Sequence, residues 1–267
     1  MKLTVKDHEI YAYTGGKPFA PSLPCIVFIH GALHDHSVWN LLARWFAHHG
    51  YGVLALDLPG HGRSAAAPVQ DSVEALGRWV LAALDAAGVQ QAHLVGHSMG
   101  SLIALEAAAQ APQRALRLAM VGTAYPMKVS PALLDTAREH PQDAIAMVNK
   151  FSHSSWAAKP SFPGPGAWLH GGNRALMQRV QKQQLALNLF EHDFRVCDAY
   201  AAGLEAAARV TAPCILLLGE RDQMTPPKQS FALGQALRAR TVLLPCGHAL
   251  MQEAPEALLA ALRQTLA

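Results

Sequence analysis

A serine between two glycines is the residue with the clearest chemical meaning in this sequence. Ser98 stands at the centre of the segment Gly96 to Gly100, which reads Gly-His-Ser-Met-Gly. A short apolar run, His93 to Val95, precedes the segment, and a helical stretch, Ser101 to Ala111, follows it. A sharp turn from strand to helix strains its central residue, and glycines at these positions relieve the crowding. The pattern therefore predicts a serine hydroxyl presented as a nucleophile, and the placement argues against a chance match.

A serine hydroxyl is a weak nucleophile until a base removes its proton and a carboxylate orients that base. The sequence offers both groups after the serine, first the acid and then a histidine. Asp222 follows the predicted strand Cys214 to Leu218, and His248 follows the predicted strand Thr241 to Leu244. The carboxyl ends of parallel strands meet at one edge of a sheet, so these side chains are expected to lie near the nucleophile. Glu220, in the same loop as Asp222, is the alternative acid.

The negative charge that develops on a carbonyl oxygen needs backbone N–H donors. The amide of Met99, directly after the serine, is the first predicted donor. The second is expected in the loop after the strand Ile26 to Ile29, where Gly31 lets the backbone pass close to the site. We assign the second donor to Ala32, with Leu33 as the alternative one residue further on.

Other groups that could do chemistry have weaker patterns. The chain has 14 histidines, so the case for His248 depends on its combination with Asp222 and the serine. His34 to His36 (His-Asp-His) resembles a set of metal ligands, but no second ligand cluster supports it, and we expect no metal and no cofactor. The four cysteines lack short pair spacing, which predicts neither a disulfide framework nor a zinc site. They are Cys25, Cys197, Cys214 and Cys246.

Composition excludes several classes of protein. Of 267 residues, 51% are apolar and 15% are charged, which rules out a disordered chain. A net charge of +3 makes no basic stripe, so we expect no nucleic-acid partner. No apolar run approaches the roughly 18 residues of a membrane helix, and the charged start, Met1 to Asp7, predicts no secretion signal. The expected location is cytoplasmic.

Apolar runs alternate with helical patterns along most of the chain. Continuous apolar runs bounded by turn residues are typical of strands buried on both faces. Helical spacing of apolar residues occurs between Val38 and Phe46 and between Val73 and Leu84, each followed by a glycine, Gly50 or Gly88, suited to a helix end. The fold class predicted is α/β, with a mostly parallel, doubly wound sheet. Besides those already named, the predicted strands are Cys25 to His30, Tyr51 to Leu56 and Leu116 to Val121.

The alternation stops between residues 125 and 209, where only helical patterns and a loop rich in proline and glycine, Lys159 to Gly166, are found. We interpret this segment as a helical lid inserted into a core domain of residues 1–124 and 210–267, since large insertions often lie over the site. A helical bulge without a role is the alternative. The predicted substrate contacts are large apolar side chains: Leu33, Trp156, Phe162 and Trp168. Cations of the segment are interpreted as solvated, or alternatively as partners of a substrate carboxylate: Arg174, Arg179 and Lys182.

Taken together, these motifs closely resemble the α/β-hydrolase superfamily over nearly the whole chain. The resemblance rests on the Gly-x-Ser-x-Gly segment, the loops of Asp222 and His248, the His-Gly pair at residues 30–31 and Asp57 to Ser64 (Asp-Leu-Pro-Gly-His-Gly-Arg-Ser). It implies a helical lid, Ser98 as nucleophile, Asp222 as acid and His248 as base. It implies no metal or organic cofactor, and a structural role for the Asp57 segment.

Departures from subfamily patterns narrow the expected activity. Haloalkane dehalogenases and epoxide hydrolases carry aspartate at the position of Ser98. Carbon–carbon hydrolases tend to carry Gly-Pro-Gly after the first His-Gly, asparagine before the serine and tryptophan after the histidine; this chain has Leu33 to Asp35, His97 and Ala249 there. The His-Gly-Gly-Pro-Gly of proline iminopeptidases is also absent.

The resulting prediction is a serine hydrolase that cleaves a small carboxylic ester through an acyl-enzyme. A thioesterase, an enol-lactonase or a carbon–carbon hydrolase with the same triad is the alternative within enzymes. A ligand-binding protein that turns over slowly is the rival from another class. The expected partner is a small-molecule ester or related acyl substrate, and the oligomeric state is left open.

Overall fold

The computed structural model describes residues 1–154, 168–184 and 187–266. Its strands are β1 (Lys2–Val5), β2 (His8–Tyr13), β3 (Cys25–Ile29), β4 (Gly52–Leu56), β5 (Ala92–His97), β6 (Ala115–Val121), β7 (Cys214–Gly219) and β8 (Arg240–Leu244). These strands form one sheet in the order β1-β2-β4-β3-β5-β6-β7-β8. β3 to β8 run parallel, whereas β2 is antiparallel to both β1 and β4. The predicted α/β class with a mostly parallel sheet is confirmed.

Burial on both faces explains why the central strands read as continuous apolar runs. Every residue of β3, β4 and β5 is buried. The hairpin of β1 and β2 was not predicted from the sequence. β1 alternates exposed and buried residues and carries the charged Lys2 at the edge of the sheet, so it lacks the apolar run that marks the central strands.

Helices cover both faces of the sheet. They are α1 (Asn40–Ala47), α2 (Val73–Ala86), α3 (Met99–Gln110), α4 (Pro131–Glu139), α5 (Pro141–Ser152), α6 (Leu169–Gln183), α7 (Leu189–Ala199), α8 (Gly203–Arg209), α9 (Phe231–Ala236), α10 (Leu250–Glu253) and α11 (Pro255–Leu266). One apolar layer packs α2 and α3 on the sheet, and the other packs α1 and α11 on the opposite face. This arrangement makes the sheet doubly wound. Of the helices in the described ranges, none has both the length and the apolar character needed to cross a membrane.

Four helices, α4 to α7, form a separate apolar cluster between β6 and β7; we call them the inserted helices. Buried Ile145, Met177 and Phe190 belong to this cluster. Leu33, which lies in the loop after β3, is buried among the same side chains. α8 falls within the predicted insertion but packs against α3 of the core. The predicted loop from Lys159 to Gly166 lies outside the described residues.

Candidate active site

Ser98 occupies the turn that joins β5 to α3. Its backbone has φ 53° and ψ −122°, a strained conformation for a residue with a side chain. A Cβ on Gly96 would lie 2.0 Å from the carbonyl oxygen of Gly100, and a Cβ on Gly100 would lie 2.4 Å from that of Ile29. Both positions therefore require glycine, which is the physical reason for the spacing seen in the sequence. The turn is held by the Ser98 N–H, which donates to Val121 O at 2.9 Å.

Asp222 and His248 lie together at the same edge of the sheet. His248 Nδ1 lies 2.8 Å from Asp222 Oδ2, and Thr225 Oγ1 donates to the same oxygen at 2.7 Å. The other oxygen, Oδ1, accepts from the backbone N–H groups of Met224 and Thr225, each at 2.8 Å. Glu220, the alternative acid, is exposed. The structure therefore places Asp222, and not Glu220, against the histidine.

The environment of Asp222 favours its ionised form. Burial acts to raise the pKa of Asp222, but the charge and hydrogen bond of His248 and the hydrogen bonds of Thr225 outweigh it and lower the pKa below its usual value. The carboxylate can therefore hold the imidazole in one orientation. Because Nδ1 faces Asp222, the other ring nitrogen, Nε2, is left for a group in the adjoining cavity.

Ser98 and His248 line one cavity of about 310 Å³. Half of the other side chains around it are large and apolar, and they come mainly from the inserted helices and the loops beside them. They are Met127, Val129, Leu133, Val148, Phe151, Phe194, Cys197 and Met224. Lys128 also lines this cavity, and its Nζ donates to Asp198 O at 2.5 Å. The cavity therefore suits an apolar group next to the serine.

The loop after β3 brings a second set of backbone groups to the cavity. Gly31 and Ala32 line it. The N–H of Leu33 is already committed, because it donates to Asp193 Oδ2 at 2.8 Å. Met99 is the first residue of α3, so its N–H is among those that an α-helix leaves without an internal partner. Of the two alternatives from the sequence, this hydrogen bond favours Ala32 over Leu33 as the donor to a substrate oxygen.

Asp193 forms a buried ion pair with His61. His61 Nε2 lies 2.8 Å from Asp193 Oδ2, and His61 Nδ1 lies 3.0 Å from Pro59 O, so both ring nitrogens face acceptors. Burial alone would lower the pKa of His61, but the Asp193 carboxylate outweighs it and raises the pKa. For Asp193 the opposite holds: burial acts to raise its pKa, and the His61 charge with three hydrogen bonds lowers it. Sequence reasoning missed Asp193, because a single aspartate in an amphipathic helix gives no signal.

This ion pair predicts a pH-dependent contribution to stability. Because the pKa of His61 is raised in the folded state, the stabilisation that His61 contributes is fully present below about pH 6.5. It is lost as the pH rises through the folded-state pKa. The lowered pKa of Asp193 means that its share is present above about pH 3.9 and is lost on acidification. Urea unfolding of wild type and Asp193→Asn should therefore show the largest difference in free energy of unfolding between about pH 4 and 6.5. A difference in free energy of unfolding that grew above that range would contradict the ionised pair. The nearby titratable residues Asp57, His30 and His192 are present in both proteins, so the comparison isolates the pair.

Two other buried histidines have neutral rings and hold the backbone of the site. His30 Nδ1 lies 2.8 Å from Gly31 O, while Nε2 accepts from Leu58 N–H at 3.0 Å. Burial lowers the pKa of His30 to about 3. His97 Nε2 lies 2.9 Å from His248 O, and burial with the neighbouring His248 lowers the pKa of His97 well below its ordinary value. Both histidines therefore fix loops of the site without carrying charge.

The chain also matches a family model over most of its length. The model, described as the alpha/beta hydrolase fold, matches residues 24–255. The chain belongs to the α/β-hydrolase family. Membership confirms the resemblance found in the sequence and the prediction that the protein is an α/β-fold hydrolase.

Relatives of this α/β-hydrolase carry different names. This chain is 29% identical to a 2-succinyl-6-hydroxy-2,4-cyclohexadiene-1-carboxylate synthase of Salmonella typhimurium over 257 residues. The match covers 93% of this chain and 96% of that protein. It is 38% identical over 111 residues to a dihydrolipoyllysine-residue acetyltransferase component of the acetoin cleaving system of Cupriavidus necator. That match covers 42% of this chain and only 28% of the relative. The solved enol-lactonase of Burkholderia xenovorans LB400 is 22% identical with a TM-score of 0.84, covering 100% of this chain and 99% of that one.

The predicted substrate contacts of this hydrolase fall in different places. Leu33 is buried in the cluster of the inserted helices and is not among the residues that line the Ser98 cavity. Trp168 is 56% exposed and borders a different depression. Trp156 and Phe162 lie outside the described residues. Large apolar side chains at helical spacing pack a helix as readily as they line a cavity, which is why the sequence pattern does not separate the two roles.

The cluster that resembles metal ligands is engaged in hydrogen bonds. Single ligand atoms of Asp35, His36 and Asp57 lie within 4.8 Å of one another. Asp57 Oδ1 accepts from the N–H of His36 and lies 2.7 Å from its Nδ1, and Asp57 Oδ2 accepts from Arg63 N–H at 2.8 Å. Asp35 pairs with Arg179, whose Nη2 lies 2.6 Å from Oδ2. These contacts agree with a structural role for the Asp57 segment. Arg179 pairs with Asp35 while its side chain stays 56% exposed, so it is solvated as well as paired.

Proposed function

We propose that the protein is a serine hydrolase that cleaves a carboxylic ester through an acyl-enzyme. One observation carries the proposal: the hydrogen-bonded pair of His248 and Asp222 adjoins the cavity lined by the strained Ser98. A nucleophile, a base and an orienting carboxylate in this relation are the machinery of acyl transfer. The rival reading, a binding protein, does not require this relation.

In the proposed mechanism Ser98 Oγ attacks the ester carbonyl while His248 Nε2 takes its proton. Asp222 keeps Nδ1 protonated and stabilises the imidazolium that forms. The N–H groups of Met99 and Ala32 stabilise the oxyanion of the tetrahedral intermediate. Its collapse expels the alcohol, which receives the proton from His248. Water, activated by the neutral His248, then attacks the acyl-enzyme and releases the acid and free Ser98.

The position of the inserted helices supports the interpretation that they form a lid over this site. Their apolar side chains in the cavity wall support an apolar acyl group in the substrate. Leu133, Val148 and Phe194 of these helices line the cavity. Its volume, about 310 Å³, is at the lower end of the range for small-molecule sites. Burial of each methylene is worth about 0.8 kcal/mol, so an apolar chain gains binding energy until it fills the cavity.

The proposal predicts a dependence on acyl-chain length. Across p-nitrophenyl esters, kcat/KM should rise up to about fourfold for each added methylene and then level off when the cavity is full. Leu133→Phe should shorten the preferred chain, because the larger ring occupies the cavity. Ala132→Phe, at the exposed neighbouring position of α4, is the matched control and should keep the wild-type preference. Equal kcat/KM for all chain lengths in wild type and both variants would argue against an acyl site in this cavity.

The same machinery serves thioesters and lactones, since each has an acyl carbon and a leaving group. A panel that adds thioesters, lactones and a carbon–carbon hydrolase substrate to the esters therefore identifies the preferred bond. Turnover of many equivalents separates an enzyme from a binding protein, which releases one slow equivalent at most. Cytoplasmic location and the absence of a nucleic-acid partner stay predictions from the sequence.

A further inference from the structure

We propose that Asp193, on α7 of the inserted helices, is a positioning residue for the loop that supplies the oxyanion-hole donor Ala32. The inference rests on the proposed function, because it assigns that loop a part in acyl transfer. Asp193 lies 160 positions from Leu33 in sequence and does not line the Ser98 cavity. Its effect must therefore pass through the loop and not through contact with substrate.

Leu33 attaches this loop to the inserted helices in two ways. Its backbone N–H donates to Asp193 Oδ2 at 2.8 Å, and its side chain, 0% exposed, is buried in their apolar cluster. Leu33 also has a φ of 53°, which is costly for a residue with a side chain. Such a conformation persists where surrounding contacts determine it. The hydrogen bond to Asp193 fixes the peptide plane that follows Ala32, and so the path of the backbone at the donor.

His61 makes the Asp193 carboxylate possible in this position. An isolated buried carboxylate is strongly disfavoured, and a partner of opposite charge with good hydrogen-bond geometry offsets the cost. The His61 ring is 2% exposed, and its Nε2 shares Asp193 Oδ2 with the Leu33 N–H. His61 comes from the loop after β4, so the oxygen joins three separate segments: the loops after β3 and β4, and α7.

A charged acceptor gives a shorter and stronger hydrogen bond than a neutral one. The proposed consequence is a loop held in shape before substrate arrives, which is the condition for effective stabilisation of an oxyanion. Loss of Asp193 should therefore reduce stabilisation of the transition state more than binding of the acyl chain. A merely structural role in packing α7 would instead lower the apparent kcat through a smaller folded fraction, and would leave KM and the Ki of an oxyanion-forming inhibitor unchanged.

The test compares Asp193→Ala with Glu191→Ala on the most active ester of the panel. Glu191 lies two residues away on the same helix and pairs with the exposed Arg195, so its variant controls for charge loss on α7. Asp193→Ala should lower kcat about 10- to 100-fold, less than the 10²- to 10³-fold typical of a deleted oxyanion donor, and leave KM within about threefold. The Ki of a trifluoromethyl ketone, whose adduct with the serine carries an oxyanion, should rise by the same factor as kcat falls. Glu191→Ala should keep wild-type values of all three.

Asp193→Asn keeps an oxygen that can accept from Leu33 N–H, so it should recover most of the kcat lost in Asp193→Ala. If Asp193→Ala does not fold alone, Asp193→Ala combined with His61→Asn, which removes both charges and the acceptor, carries the comparison of kcat and Ki. A folded variant without the acceptor would overturn the inference if its Ki were that of wild type, as would equal losses in Asp193→Ala and Glu191→Ala. A wild-type protein that turns over none of the panel would instead overturn the proposed function.

Discussion

Replacement of Ser98 by alanine is expected to remove at least about 10⁴-fold of kcat, the largest effect of any single substitution in this protein. The hydroxyl is the proposed nucleophile, and no acyl-enzyme forms without it. The fold should survive, since the Ser98 backbone N–H still donates to Val121 O and the flanking glycines are unchanged. Removal of the hydroxyl leaves only the weak rate enhancement supplied by binding and the oxyanion donors.

Labelling with a fluorophosphonate provides a second readout on the same variant. Wild type should incorporate one equivalent on the peptide that contains Ser98, and Ser98→Ala should incorporate none. Ser101→Ala is the matched control, because the Ser101 hydroxyl is buried one turn away, where it donates to Thr123 Oγ1 at 2.8 Å. It should still be labelled at Ser98. A label mapped to Ser64 or Ser101 in wild type would show that the nucleophile is misassigned.

Asp222→Asn is expected to lower kcat by about 10²- to 10⁴-fold while the fold is retained. The hydrogen bonds dictate how the new amide must lie. Oδ1 accepts two backbone N–H groups, from Met224 and Thr225, so the amide oxygen must stay there and the amide nitrogen must face His248 Nδ1. His248 would then accept at Nδ1 and carry its proton on Nε2, where it cannot take the proton of Ser98.

Glu220→Gln is the matched control for this variant. Glu220 lies two residues away in the same loop and is exposed, so the loss of its charge should change kcat by less than about threefold. The measurement is kcat for both variants on one ester, with circular dichroism to establish folding. If Glu220→Gln lost more activity than Asp222→Asn, the carboxylate that orients His248 would be the wrong one in our assignment.

The sequence carried enough information to predict the elements that hold the proposed triad. β3 to β8 are buried parallel strands, so their residues form apolar runs that stand out from the surrounding helices. Ser98, Asp222 and His248 each follow such a run, and the chain order of the three limited the choice of acid to two carboxylates in one loop. The structure favours Asp222 as the proposed acid, because Glu220 is exposed and Asp222 lies against His248.

The contacts that the sequence did not reveal join distant parts of the chain. Asp193 meets Leu33 and His61 only after the inserted helices have packed on the core, and nothing local to any of the three residues records it. The same holds for the cavity wall, where Met127 and Met224 lie nearly 100 positions apart yet line the same space. The hairpin of β1 and β2 escaped prediction for the opposite reason, since an exposed edge strand with alternating polarity resembles a loop.

The position of Leu33 also limits how this enzyme can be recombined with its relatives. By chain position Leu33 belongs to the core, yet its side chain is buried among the inserted helices. Consider a chimera in which only the inserted helices are replaced by those of another family member. The Leu33 side chain would then face helices that pack around a different residue. Residues 31–35 should therefore be exchanged together with residues 131–199, as a single recombination block made of two separate segments of the sequence.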